Sequence, residues 1–363
     1  MNAKTVRDVS GIDYSLIIHT AFINAGMDTS MPRSPSRQVT FERHPGAGPL
    51  HTICLPGLVP DGPIAYLRQR GVLGRHGSVA LATWPTDAFD LDMIIEGIEA
   101  ELDAAARLHR PIVLAAMSFG GGIALELLRR RREAGRVIDL AGLVLISPLT
   151  STTDLSRSLQ RLLTPIMDAY DGKGGDPHEA LERGRAFFRT LAARSIDEAP
   201  ESGGWLAPLK AWTPSAIAAR QERDLRDRVS ASIAALPADG GLQRVMAMRI
   251  MRGLPASGLL TDCPALVLWG SKERHTLDME GPGTGRLCRP DLAYRVLPAA
   301  EVHWVWDEDG QAVPHASTLR HHAAFNVHLE RFLARLARSH AGVRSRVANL
   351  IPFRPRTTEV ASA

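Results

Sequence analysis

The chain has 363 residues, 45% of them hydrophobic and 23% charged, and a formal net charge of +4. That length suits one large α/β domain with an insertion, or two domains, and the composition is ordinary for a soluble globular protein. Lysine occurs only at Lys4, Lys173, Lys210 and Lys272, so the basic balance rests on arginine. This points to a GC-rich genome more than to a nucleic-acid partner, and no zinc-finger spacing or aromatic RNA-binding signature opposes that reading.

The three cysteines, Cys54, Cys263 and Cys288, are odd in number and lack metal-ligand spacing. No apolar run reaches membrane-spanning length. Residues 14–26 are interrupted by His19 and Asn24 and make a poor signal peptide, so a cytoplasmic, reduced protein is expected. The chain opens with an N-terminal extension, 1–37, whose serine- and proline-rich end reads as a loop.

Strand patterns follow at 38–43, 50–55 and 78–84, with a turn at Pro45-Gly46. A short helix is expected over 64–69 and an amphipathic one over 91–108. A buried strand, Ile112 to Met117, runs into Ser118-Phe119-Gly120-Gly121-Gly122 and then into a helical pattern ending at Arg129 to Arg132, where the positive charges suit the helix dipole. Another strand covers 140–147. Strands alternating with helices predict a mostly parallel sheet covered on both faces, with 38–148 as its first part.

From 149 to 262 no strand-like run occurs. Amphipathic segments at 156–170, 178–194 and 242–251 are separated by glycine pairs, and the block is too long for an ordinary connection. It reads as a helical cap inserted into the sheet. Met246, Met248, Met251, Trp205 and Trp212 either line a pocket there or form the cap's own core, the more usual fate of such stripes. The sheet resumes over 263–340, with strands at 264–269 and 293–297 and a helix at 318–337, and 341–363 reads as a surface tail.

Ser118 lies at a strand-to-helix turn with small residues, Ala116 and Gly120, two positions either side. Such a turn holds its serine in a strained conformation and needs small neighbours. The plain alternative is a serine N-cap on an ordinary buried helix. At these residues the chain resembles the α/β-hydrolase family, whose nucleophile elbow reads small-x-Ser-x-small.

That resemblance implies an α/β-hydrolase fold with a helical cap, and a triad in the order Ser, acid, His. A serine hydroxyl needs a base to take its proton, and the base needs an acid to fix its tautomer. Glu273 stands where the family places Gly-x-x-Asp, in Gly270-Ser-Lys-Glu273; Asp278 and Asp154 are the alternatives, and a surface partner for Lys272 or Arg274 is the plain reading. His303, followed by Trp304, resembles the family's Gly-His-Trp, with Val302 in place of the glycine. His315, His321, His322 and His328 lie in or beside the final helix and are expected along its surface. The backbone N–H groups of Phe119 and of Leu58, in Leu55-Pro56-Gly57-Leu58, are the expected oxyanion donors, although Pro-Gly is also a plain turn.

With serine at the nucleophile position, the family's epoxide and haloalkane hydrolases, which carry aspartate there, are set aside. No phosphate loop or cofactor motif is present. The expected function is a serine hydrolase acting on a small or acyl-chain ester or thioester through an acyl-enzyme. The alternatives are a non-catalytic binding protein on the same fold and an acyltransferase using the same triad.

Overall fold

The computed structural model describes residues 38–196, 214–255 and 257–350. The N-terminal extension, Trp205 and Trp212 lie outside these residues. The sheet has seven strands in the order β1-β3-β2-β4-β5-β6-β7. They are β1 (Thr40–His44), β2 (Leu50–Leu55), β3 (Gly77–Thr83), β4 (Ile112–Met117), β5 (Gly142–Ile146), β6 (Ala265–Gly270) and β7 (Ala300–Val305). Only β1 runs antiparallel, against β3; every other pairing is parallel.

The apolar strands β4, β5 and β6, and β2, which also carries His51 and Thr52, are buried at every position, as expected of strands covered on both faces. Side chains alternate between those faces. Ile112, Leu114 and Ala116 of β4 join one core, while Val113, Ala115 and Met117 join the other.

The helices are α1 (Gly62–Ala65), α2 (Arg70–His76), α3 (Leu91–Arg107), α4 (Phe119–Glu133), α5 (Arg157–Tyr170), α6 (Pro177–Ile196), α7 (Pro214–Ala235), α8 (Ala238–Ile250), α9 (Thr284–Leu287), α10 (Pro290–Ala293) and α11 (His322–Leu350). Helix α3 starts at Asp90, whose carboxylate accepts the Asp92 and Met93 N–H groups and satisfies two otherwise orphaned donors. Helix α11 covers one face with Phe325, Leu329, Phe332 and Leu333; the segment expected as a tail is helical as far as Leu350. Helices α5 to α8 form the insertion between β5 and β6. Within it Met248 and Met251 are buried in the main core, so packing, not pocket lining, is what these two side chains do.

One strand lies elsewhere than expected. The apolar residues of 293–297 suggest a strand, but Pro290 and Asp291 open the short helix α10, since proline's fixed φ and an acidic first turn favour a helix start. The chain turns there, and the true last strand, β7, begins at Ala300. No described helix is long and apolar enough to cross a membrane.

Candidate active site

Ser118 directly follows β4 and has φ 50° and ψ −116°, a region that side-chain-bearing residues rarely occupy. The turn around it is fixed by hydrogen bonds: its N–H donates to the Ile146 carbonyl at 2.9 Å, and its carbonyl accepts from Leu149 at 3.0 Å and Gly122 at 3.2 Å. Gly120 is obligatory, because a methyl there would lie 2.3 Å from the Pro56 carbonyl oxygen. The small residue anticipated from the sequence is therefore demanded by the close passage of the loop after β2. The Phe119 N–H opens α4 beside the hydroxyl.

The imidazole next to Ser118 belongs to His315, whose Nε2 is 2.8 Å from Ser118 Oγ. Its Nδ1 lies 2.5 Å from Glu273 Oε2. The Glu273 carboxylate is wholly buried. Its other oxygen accepts the Gly270 N–H at 2.9 Å and the Ser147 hydroxyl. A carboxylate accepting from the Nδ1 side leaves Nε2 free to take a proton from the serine, which is the tautomer a base requires.

Ser147 also accepts the Ala316 N–H at 3.1 Å. Its hydroxyl thus ties the acid to the loop that carries the histidine. The same loop is stitched to the acid's turn by Lys272 N–H to Val313 O at 2.8 Å and Val313 N–H to Ser271 Oγ at 2.7 Å. Gly270 permits this approach, since a methyl there would sit 2.5 Å from the Pro314 carbonyl oxygen.

His303, the histidine expected from the sequence, is not at this site. It lies within β7, paired in register with Leu268. Its ring stacks on His328 of α11 with centroids 4.7 Å apart, and its Nε2 is 4.0 Å from Glu301. The displacement has one cause: with the last strand beginning at Ala300, His303 is inside it, and the loop that follows presents His315 instead. His321 lies 3.8 Å from Asp307, and burial lowers the pKa of His321, His322 and His328 below the usual histidine value. A strand-like alternation at Glu301-Val302-His303-Trp304-Val305 and the turn-forming Asp307-Glu308-Asp309-Gly310 were the available signals that 315, not 303, follows the strand.

Of the three candidate carboxylates, Glu273 alone meets the histidine. Asp154 is buried, accepting the Gly283 N–H at 3.0 Å and the Thr150 hydroxyl; Asp278 is exposed and accepts the Glu280 N–H at 3.0 Å.

The loop after β2 adjoins the nucleophile: a methyl on Gly57 would fall 3.6 Å from Ser118 Cβ. Beyond it, an apolar pocket lies between this loop and the inserted helices, walled by Leu58, Leu163, Ile166, Leu181, Ile233 and Val245. The three cysteines are free and buried. Among the described residues no group of three or more His, Cys, Asp or Glu is placed to hold a metal ion.

No protein-family model matches the chain, and no curated protein sequence matches it. Solved structures do. A thermophilic esterase from Thermogutta terrifontis, with malate bound, is 16% identical over 85% of this chain and 97% of its own, with a TM-score of 0.50. An esterase from Exiguobacterium antarcticum is 14% identical over 82% of this chain and 95% of its own, at a TM-score of 0.51. A hydrolase from Pseudomonas aeruginosa PA01 is 17% identical over 81% and 94%, at 0.50. At such identities the likeness is one of fold.

Proposed function

From the α/β-hydrolase fold with an inserted helical cap, which this chain has, we propose that the protein is a serine hydrolase cleaving an ester or thioester through an acyl-enzyme. The observation that carries the reading is the unbroken relay from Ser118 Oγ through His315 to the buried Glu273. A fold alone does not specify a reaction; a nucleophile, base and orienting acid in hydrogen-bond contact argue for one. His315 takes the role that the sequence suggests for His303, and Glu273 and Ser118 keep theirs.

Ser118 Oγ attacks the substrate carbonyl as its proton passes to His315 Nε2. Glu273 holds the imidazole in place and stabilises the imidazolium. The tetrahedral oxyanion is received by the Phe119 and Leu58 N–H groups, the first at a helix N-terminus. Collapse expels the alcohol or thiol, which takes the proton from His315, and leaves an acyl ester on Ser118. Water then gives a proton to His315 and attacks; the second collapse returns that proton to Ser118 Oγ and releases the acid.

A fluorophosphonate probe and a series of p-nitrophenyl esters test this. Labelling and turnover that vanish in Ser118→Ala are expected. A folded wild type that neither labels nor turns over any ester would refute the reading and favour a binding protein on the same fold. Product analysis with added alcohols distinguishes hydrolysis from acyl transfer.

A further inference from the structure

We propose that the loop following β2 is held in its oxyanion-binding conformation by two buried donors, Trp84 from the core and Arg244 from the cap, so that seating the cap completes the site. The inference rests on the reading of the Leu58 N–H as an oxyanion donor. Trp84 ends the run of β3, and its Nε1–H donates to the Gly57 carbonyl at 2.9 Å. The indole is buried and packs edge-on against Phe89 and Phe119, with centroids 6.0 and 6.2 Å away. It has no room to follow a moving carbonyl.

The peptide joining Gly57 to Leu58 is trans, and in a planar trans peptide the C=O and N–H point in opposite directions. Fastening the Gly57 carbonyl to the indole therefore turns the Leu58 N–H away from the aromatic layer. A flipped peptide would do the reverse and present a carbonyl oxygen where the oxyanion should form. Which way this one peptide faces decides whether the loop attracts or repels developing negative charge.

The next carbonyl along, that of Leu58, accepts Arg244 Nη1 at 2.8 Å. Nη2 of the same guanidinium reaches Pro85 O at 3.2 Å and Trp84 O at 3.4 Å. One rigid fork thus joins the segments that follow β2 and β3. Arg244 is 1% exposed, and the carboxylate that faces it, Asp61 Oδ1, stands 3.6 Å away. Burial weakens the hold of Arg244 on its proton and pushes the Asp61 carboxyl up. A buried guanidinium without a close bidentate carboxylate is an expensive way to fill space. Its return here is the set of backbone carbonyls it fixes, and these hydrogen bonds exist only while α8 is docked on the core.

The test is steady-state kinetics of the full chain on p-nitrophenyl esters, comparing wild type with Arg244→Met, Arg244→Lys and Trp84→Phe. In Arg244→Met and Trp84→Phe, kcat is expected to fall on the order of 10- to 100-fold, less than the loss from deleting an oxyanion donor outright, with KM little changed. Arg244→Lys, which keeps the charge and one donating nitrogen but not the fork, is expected to recover part of the loss. A trifluoromethyl ketone, which forms an oxyanion on Ser118, should weaken by the same factor as kcat/KM. Ester binding measured in a Ser118→Ala background should not change. Arg249→Ala, on the same helix but paired with Asp171 at the surface, should keep wild-type kinetics.

A folded Arg244→Met or Trp84→Phe with wild-type kcat would overturn the inference. So would a loss seen equally in ground-state binding with no change in ketone affinity. If Arg244→Met does not fold, Trp84→Phe decides, since it removes an N–H from a ring and leaves an aromatic in its place. A wild type inert to esters and to the fluorophosphonate would refute the enzyme reading and this inference with it. A Ser118-dependent wild type with insensitive variants refutes this inference alone.

Discussion

Replacing Glu273 by glutamine preserves its shape and removes its charge, so it isolates what the carboxylate does. Glu273 accepts from three donors: the His315 ring, the Gly270 N–H and the Ser147 hydroxyl. Glutamine offers one acceptor and one donor head. If its NH2 faces His315, Nδ1 must accept and the proton moves to Nε2, which can then no longer take the serine proton. If the amide flips, its NH2 confronts the Gly270 N–H, and a buried donor pair without an acceptor costs roughly 1–3 kcal/mol. The first orientation is cheaper in stability, so the histidine is held in the wrong tautomer. Loss of the correct tautomer in a serine triad lowers kcat on the order of 10⁴-fold, about 5.4 kcal/mol in the barrier at about 1.36 kcal/mol per tenfold. The assay is kcat on a p-nitrophenyl ester, with urea denaturation confirming that the fold survives. A folded Glu273→Gln that keeps more than about a tenth of wild-type kcat would refute the relay, because no tautomeric control weaker than about tenfold could come from this contact.

Three further outcomes follow from the same geometry. His315→Ala should lose on the order of 10⁴-fold or more in kcat, whereas His303→Ala, which breaks a ring contact with His328 and a long approach to Glu301, should stay within about twofold, since surface changes away from the site are near neutral; the reverse ranking in ester hydrolysis would restore the sequence expectation. Ser147→Ala removes the hydroxyl shared by Glu273 and the Ala316 N–H, and should lower both stability, by about 1–3 kcal/mol in urea, and kcat. Unchanged kcat would show that the bridge holds only the fold. Burial raises the Asp154 carboxyl above its usual value, partly offset by the Gly283 and Thr284 N–H groups. The native state therefore binds this proton more tightly than the unfolded chain, and the group's contribution to stability falls as pH rises from about 4, the unfolded carboxylate range. Asp154→Asn, whose amide can donate to Thr150 and accept from Gly283, should flatten that decline in a series of melting curves; an unchanged slope would refute the assignment.

Much of the fold was legible because burial leaves a local mark. The strand leading to Ser118 is a continuous apolar run and the strand at Leu50–Leu55 is interrupted only by His51 and Thr52, and short runs of this kind bounded by turn residues are expected of strands covered on both faces. The elbow was legible for the same kind of reason. A close backbone approach excludes side chains, so Gly120 advertises the contact with Pro56 before the contact is seen. Glu273 could be named as a candidate because it stands four residues past the end of the recognisable strand at 264–269. The insertion announced itself through more than a hundred residues without a strand pattern.

The histidine beside Ser118 could not be chosen that way. His303 and His315 are twelve positions apart on either side of one strand end, and which is presented depends on whether 293–297 extends or turns. Alternating apolar residues are compatible with both; the helix start at Pro290 and the packing of β7 beside β6 decide it. Likewise nothing local to Trp84 or Arg244 connects them to the Gly57–Leu58 loop, because those hydrogen bonds join segments that are remote in the chain and meet only when the sheet is ordered and α8 is docked. The amino-acid sequence by itself determined every strand but the last and the turn at Ser118, and it marked Glu273 as a candidate, since each is written in the neighbours a residue must have within a few positions. Only the tertiary structure decided which histidine meets Ser118 and what holds the Gly57–Leu58 loop, since those depend on where distant stretches of chain come to rest against one another.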